Sequence, residues 1–266
     1  ADNNYPWYLI HLKNQNNRRT HMSFLKKEFE KTSLLLRNVP SLIMVLFVLS
    51  CVGMNLLANK ELFNTTYLAL DCGFLLSWAA FLCGDMLTKH FGAKASIRLS
   101  IVAMICNLLV CGVFWFATTV STGNWGAFYD TGNPIVNTAL DTTIGGTWYV
   151  VLGSAFAFLV SSIINALLNE GIGKAIKDNG SFKHYAIRSY VSTFIGQFAD
   201  NLAFACVVSK IFFGWTWTQV LLCSLTGAIF ELLWEIVLGP LSYKMVKKWK
   251  EHNVGAEYLK MEESAD

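Results

Sequence analysis

The chain has 266 residues, 54% of them hydrophobic and 15% charged, with a formal net charge of +3. A soluble domain is nearer one-quarter charged. The composition therefore excludes a disordered chain, a basic nucleic-acid arm and an ordinary soluble enzyme.

Residues 1–37 are polar and basic, with seven Lys or Arg. The pattern predicts no cleavable leader, so the first apolar block is expected to act as an uncleaved anchor. Within this segment, residues 23–38 carry Phe24, Leu25, Phe29, Leu34, Leu35 and Leu36 among basic residues. That reads either as an amphipathic helix on the inner membrane face or as an extension of the first span.

Six apolar blocks follow: Val39–Ala58, Leu62–Gly84, Leu99–Val120, Thr142–Asn169, Ser189–Ser209 and Ile211–Tyr243. Their charges are Asp71, Asp200, Glu231 and Glu235. A bilayer core takes roughly 20 apolar residues in a helix. The expected fold is thus all-α, a polytopic membrane protein with six transmembrane helices. The expected division is 1–37 as a cytoplasmic segment, 38–245 as the six-helix domain and 246–266 as a cytoplasmic tail.

Charge sets the orientation. Of the 21 Lys and Arg, all but Lys60 and Lys210 fall in the N-terminal segment, the turns after spans 2 and 4, and the tail. Basic loops stay in the cytoplasm. Both termini are therefore expected to be cytoplasmic, in a multi-pass protein of the plasma (inner) membrane. Trp115, Trp148, Trp215 and Trp217 fall at the opposite ends, where an aromatic belt belongs.

Connections 59–64, 86–97 and 210–215 are short, so the spans they join should be antiparallel neighbours. Loop 121–145 is long, rich in Gly, Asn, Thr and Asp, and lacks Lys and Arg. It reads as a lid or as a solvated connector. Cys51, Cys72, Cys83, Cys106, Cys111, Cys206 and Cys223 all lie inside spans as small apolar residues. No Cys-x-x-Cys or Cys/His spacing occurs, so no disulfide framework, metal site or cofactor is expected.

Polar groups inside spans are costly and mark a functional site by default. Span 2 places Asp71, Phe74, Trp78, Phe81 and Asp85 on roughly one stripe. Acids with aromatic faces suit a flat, nitrogen-rich ring, although an aromatic stripe also fits core or lipid contact. Span 3 holds Asn107. Span 4 ends in Asn165, Asn169 and Glu170. In span 5, Ser189, Thr193, Gly196, Gln197 and Asp200 recur at three- and four-residue steps, with Asn201 at the margin and Phe204 one turn on. Asp200 lies roughly 18 Å deep at about 1.5 Å per residue, near the midplane. Such a stripe faces other helices or a wet cavity, as interhelical glue or as a ligand site. Span 6 sets Glu231 and Glu235 one turn apart beside Trp234. No Lys or Arg is expected in the bundle core. Arg98 and Arg188, at inner helix ends, are the candidate partners of Asp85, Glu170 and Glu235. Asp200 and Glu231 then either hold protons or await a donor-rich or cationic ligand.

The stretch Gly84-Asp85-Met86-Leu87-Thr88-Lys89-His90-Phe91-Gly92, followed by Arg98, resembles a signature of the queuosine-precursor transporter family, also called the vitamin-uptake family. That signature is Asp, five variable residues, Tyr or Phe, Gly, and a later Arg. Ser192-Thr193-Phe194-Ile195-Gly196-Gln197-Phe198-Ala199-Asp200-Asn201-Leu202-Ala203-Phe204 resembles its second and more specific signature, with Asn201 where Ser or Thr is usual. The resemblance covers roughly residues 40–250. It implies a six-helix inner-membrane importer of the 7-deazaguanine bases preQ0 and preQ1. Asp85, Arg98, Thr193, Gln197 and Asp200 would inherit the motif roles. Glu231 stands where a basic residue often occurs, which implies the cationic preQ1 or another base.

Residue reading and resemblance converge on one expected substrate set: Asp200, Gln197, Glu231, Asn201, Thr193, Trp78, Asn107, Asn165, Asn169 and Phe204. Asp85, Arg98, Glu170, Glu235 and Asp71 are the expected proton-coupling or gating groups. The expected partners are a small planar base and the lipid bilayer, without nucleic acid; a homodimer stays open. Competing readings are a substrate-capture subunit of an energy-coupling-factor vitamin transporter, docking through Ala79/Cys83 or Gly153/Ala157, and a membrane scaffold. An intramembrane enzyme is not expected, because the spans offer no histidine, metal cluster or Gly-x-Ser-x-Gly turn.

Overall fold

The computed structural model describes residues 26–120, 141, 145, 148–177 and 180–264. The expected lid or connector, 121–145, thus lies almost wholly outside the described residues. The helices are α1 (Lys26–Asn38), α2 (Ser41–Leu57), α3 (Phe74–Phe91), α4 (Ala93–Val120), α5 (Trp148–Ala175), α6 (Phe182–Phe204), α7 (Trp217–Glu251) and α8 (Ala256–Glu263). Two strands, β1 (Glu61–Asn64) and β2 (Ala69–Asp71), pair antiparallel between α2 and α3. The chain divides into two compact units, Pro40–Val254 and a smaller one from Ala1–Val39 with Gly255–Asp266. In the smaller unit, Lys31 on α1 and Glu262 on α8 form an ion pair at 3.4 Å.

Among its described residues the large unit contains four helices long and apolar enough to cross a membrane: α4, α5, α6 with its continuation to Phe212, and α7. Helices α1 and α2 give a fifth candidate if they count as one span. The second expected span is corrected. Its first residues are not helical but form the β1–β2 hairpin, and the helix starts only at Phe74. Local polar chemistry explains this. Thr65 closes the turn through its N–H to Leu68 O at 2.8 Å and its hydroxyl to the same oxygen at 2.7 Å. Gln219, within the capping box that starts α7, donates to Asn64 Oδ1 at 3.0 Å and Thr65 O at 2.8 Å. Trp215 Nε1 donates to Glu61 Oε1 at 2.7 Å. Trp215 is accordingly buried, not part of an exposed belt, whereas Trp115, Trp148 and Trp217 are exposed. Trp215→Phe should cost about 1.5–3 kcal/mol, the range for a hydrogen bond to a charged group. A fall in the thermal midpoint of the detergent-solubilised protein checks this, and an unchanged midpoint would show the pin to be idle.

Helix α3 is central, packing against α2, α4, α5, α6 and α7. It runs to Phe91, so the expected loop 86–97 shrinks to Gly92, whose φ of 87° lets α3 stop and α4 start at once. Lys89 and His90 therefore lie in a core helix, not in a loop. His90 Nε2 meets Val254 O at 2.7 Å and tethers the end of α3 to the segment after α7. Phe47 (α2) and Phe81 (α3) both pack on Phe158 (α5), with centroids 6.0 and 6.3 Å away. Helix α4 turns Ile105, Leu109, Val113 and Phe116 outward, as a lipid-facing edge helix would.

Candidate substrate site

The three- and four-residue recurrence on α6 becomes a buried face. Ser189, Ser192, Thr193, Gly196, Gln197 and Asp200 are all buried, while Val191 and Ile195 on the other face are exposed. Gly196 allows the close approach of α5, since a Cβ there would meet Asn165 Cβ at 2.9 Å. After Phe204, α6 widens into a π-helical turn, Ala205–Ser209, a distortion common at functional sites. Tyr149 donates to Val207 O within it at 2.7 Å.

Two polar centres lie along this face. The first surrounds Glu231, which is 1% exposed. Ser77 donates to its Oε1, and Asn201 Nδ2 to its Oε2 at 3.2 Å. With the amide nitrogen of Gln197 turned to the same carboxylate, it donates to Oε2 at 2.7 Å. Beside this centre is a hollow lined by Asp71, Phe74, Ser77, Asp200, Asn201 and Phe204, among others. Its volume is about 30 Å³, room for two or so waters. Asp200 is 9% exposed and lines it, with Oδ1 accepting from Ser161 at 2.8 Å. Asp71, expected on a helical stripe, instead ends β2, where its Oδ1 accepts from Gly73 N–H at 2.7 Å.

The second centre surrounds Asp85, which is fully buried. It accepts from Asn165 at 2.6 Å, Ser189 at 2.6 Å and Thr193 at 3.1 Å. Lys89 Nζ stands 3.5 Å from its Oδ2. This corrects the expectation of a core without Lys or Arg: the Lys89 side chain is 1% exposed, and its ammonium sits 3.6 Å from the centre of the Tyr185 ring. Ser189 also donates to Glu235 Oε1. A hydroxyl has one proton, so Ser189 serves one of these carboxylates at a time.

Other expected members lie elsewhere. Trp78 stacks on Trp234 with centroids 5.2 Å apart, so one face of each ring is already used. Asn107 is buried on α4 and does not line the hollow. Asn169 donates to Ser192 at 3.1 Å and accepts from Arg188 at 3.0 Å, so the inner arginine partners an amide. Glu170 pairs with Lys174 and accepts from the Ala93 N–H that opens α4, at 2.9 Å. Arg98 is half-buried on α4. Gly153 and Ala157, a candidate docking face, are instead turned inward, where a Cβ on Gly153 would meet Val208 at 2.4 Å. Residue reading missed Ser77, Ser161 and Lys89. Ser and Lys are too common for type alone to mark them, although Lys89 one turn after Asp85 was a usable signal.

Gly227 on α7 makes room for the first centre. A Cβ there would lie 2.6 Å from Asn201 Nδ2. Gly227→Ala should push Asn201 off Glu231 and cost about 1.5–3 kcal/mol of stability, the range for a hydrogen bond to a charged group. A fall in the unfolding midpoint of the detergent-solubilised variant checks this; an unchanged midpoint would show the Asn201 contact to be idle.

A profile of the family described as "Putative vitamin uptake transporter" matches residues 71–245, well over half of the chain. No curated protein and no solved structure matches it.

Proposed function

The chain belongs to the "Putative vitamin uptake transporter" family, and we propose that it imports a small, planar, nitrogen-rich base of the 7-deazaguanine class, preQ0 or preQ1. The family is a transporter class, not an enzyme class, and the chain is a multi-pass plasma-membrane protein. In this reading six helices cross the bilayer, α2 and α3 included, and both termini are cytoplasmic.

One observation carries the proposal: Asp200, deep on α6, opens onto a small hollow with one oxygen held by Ser161. A buried carboxylate is costly where glue alone is needed. The edge of a guanine-like ring offers parallel N–H donors, which a carboxylate accepts in pairs as it does from Arg. A site built for such an edge rejects isosteres lacking it by orders of magnitude. Phe74 and Phe204 line the same hollow and supply faces for the ring. Glu231 stands behind, and its donors Ser77 and Asn201 also line the hollow, so a bound base can exchange partners with it.

The hollow is too small for a base, so helices must part to admit one, as alternating access requires. Proton binding at Asp85 and Glu235, which share Ser189, would couple that motion to the proton gradient. A thermal-shift panel of preQ0, preQ1, queuine, guanine and common vitamins tests the substrate class. A ligand that binds only the folded state raises the midpoint by mass action. A rise with the deazaguanines but not with vitamins supports the reading; a rise with a vitamin alone overturns it.

A further inference from the structure

We propose that Glu235 is the proton carrier of the bundle: it holds a proton at neutral pH and passes it through Ser189 to Asp85. This deepens the transport reading above. The purpose of the proton rests on that reading; its location does not.

Proton counting carries the proposal. Ser189 Oγ stands within hydrogen-bond reach of two carboxyls at once, Asp85 Oδ2 at 2.6 Å and Glu235 Oε1. Two hydrogen bonds in that row of three oxygens need two protons, and the hydroxyl supplies one. With both acids ionised, one carboxylate would face a lone pair of the hydroxyl, away from water, which is costly. The second proton therefore sits on one of the acids.

The surroundings decide which. Asp85 also accepts from Asn165 and Thr193 and has the Lys89 ammonium 3.5 Å away. Such partners favour an ionised carboxylate. Glu235 is buried on α7, with Ser189 against its Oε1 and no hydrogen-bond partner for its Oε2 among the described residues. An ion so placed would lack both donors and a counter-charge. The titratable and charged groups facing Glu235 are Cys83, Asp85 and Lys89 from α3, and Tyr185 and Tyr190 from α6. Lys89 is the one cation of these, and Asp85 already balances it. Arg188, also on α6, is engaged by Asn169. The arrangement that satisfies every atom in the row has the Glu235 O–H donating to Ser189 and the Ser189 O–H donating to Asp85.

Transfer along the row balances. The Glu235 O–H bond breaks as one forms on Ser189 Oγ, and the hydroxyl's own O–H breaks as one forms on Asp85 Oδ2. One proton moves from Glu235 to Asp85, and one negative charge moves the other way. Glu235 is then an ion without a partner, and Lys89 loses its counter-charge, so the closed packing becomes costly. Lys89 lines two cavities at the end of α3, with room for water into which Asp85 can discharge. Gly239-Pro240 lies about one turn after Glu235 on α7. Proline there removes one helical hydrogen bond and marks where α7 can bend.

The test uses the full chain in neutral detergent and infrared difference spectra of the parent and its variants. The carbonyl band of a protonated carboxylic acid should be lost in Glu235→Gln at neutral pH. The Gln amide can still donate to Ser189, so this variant keeps the fold. In Ser189→Ala the same band should persist but shift, because the acid loses its acceptor. A band that survives Glu235→Gln, or that ignores Ser189→Ala, overturns the placement of the proton. In vesicles, uptake of labelled preQ1 by the parent should respond to an imposed pH gradient, and that response should vanish in Glu235→Gln. A response that remains in the variant overturns the carrier role. Absence of any preQ1 uptake by the parent counts against the substrate reading, while the infrared band judges the proton on its own.

Discussion

Asp200→Asn is expected to cut deazaguanine uptake about 10- to 100-fold while leaving the protein at least as stable as the parent. The two effects separate because one carboxylate has two jobs. Its acceptor capacity toward the hollow is the binding function; a hydrogen bond to a charged group contributes about 1.5–3 kcal/mol, and each 1.4 kcal/mol is tenfold. The amide of Asn can still accept from Ser161, the bond observed at 2.8 Å, so the local packing is preserved. Removing a buried charge while keeping its shape is neutral or stabilising. Glu231→Ala should behave differently. Truncation leaves Ser77, Asn201 and Gln197 without their shared acceptor, so uptake and stability should fall together. Radiolabelled uptake into cells or vesicles, read beside the unfolding midpoint, distinguishes the patterns. Unchanged uptake in both Asp200→Ala and Glu231→Ala would remove the proposed site.

Asp85→Ala should destabilise the bundle by about 3–5 kcal/mol, the loss seen when one partner of a buried ion pair is removed. Lys89 would be left charged inside the bundle, its side chain 1% exposed. Asn165, Ser189 and Thr193 would lose their acceptor at the same time. Lys89→Met alone strands Asp85 in the same way. Asp85→Asn combined with Lys89→Met removes both charges and should recover most of the loss, a positive coupling in a double-mutant cycle. Denaturant or thermal unfolding in detergent reads all three variants. Additive losses would show that the 3.5 Å approach carries no energy.

Several features were legible without coordinates because they depend on local order. The apolar blocks marked a membrane protein, since burial in lipid demands length and composition alone. The period of span 5 gathered Ser189, Thr193, Gln197 and Asp200 on one face, since a helix fixes which residues point together. The two signatures around Asp85 and Asp200 named the transporter family later matched over residues 71–245.

Other features waited on the fold. A helical period says nothing about which neighbour a face meets, so it could not join Ser189 to Asp85 and Glu235 across 104 and 46 residues. Loop composition placed Lys89 in solvent, because a lysine near a turn is normally wet; only α3's continuation to Phe91 carried it into the core beside Asp85. The hairpin of residues 61–71 likewise escaped notice, because its own turn bonds sit inside an apolar block and the contacts that pin it come from Trp215 and Gln219, some 154 residues away. The sequence by itself determined the solvent this protein lives in and the residues that share a helix face. Tertiary structure alone decided which charges are paired and where a hollow remains, because those follow from contacts between helices that the chain order does not encode.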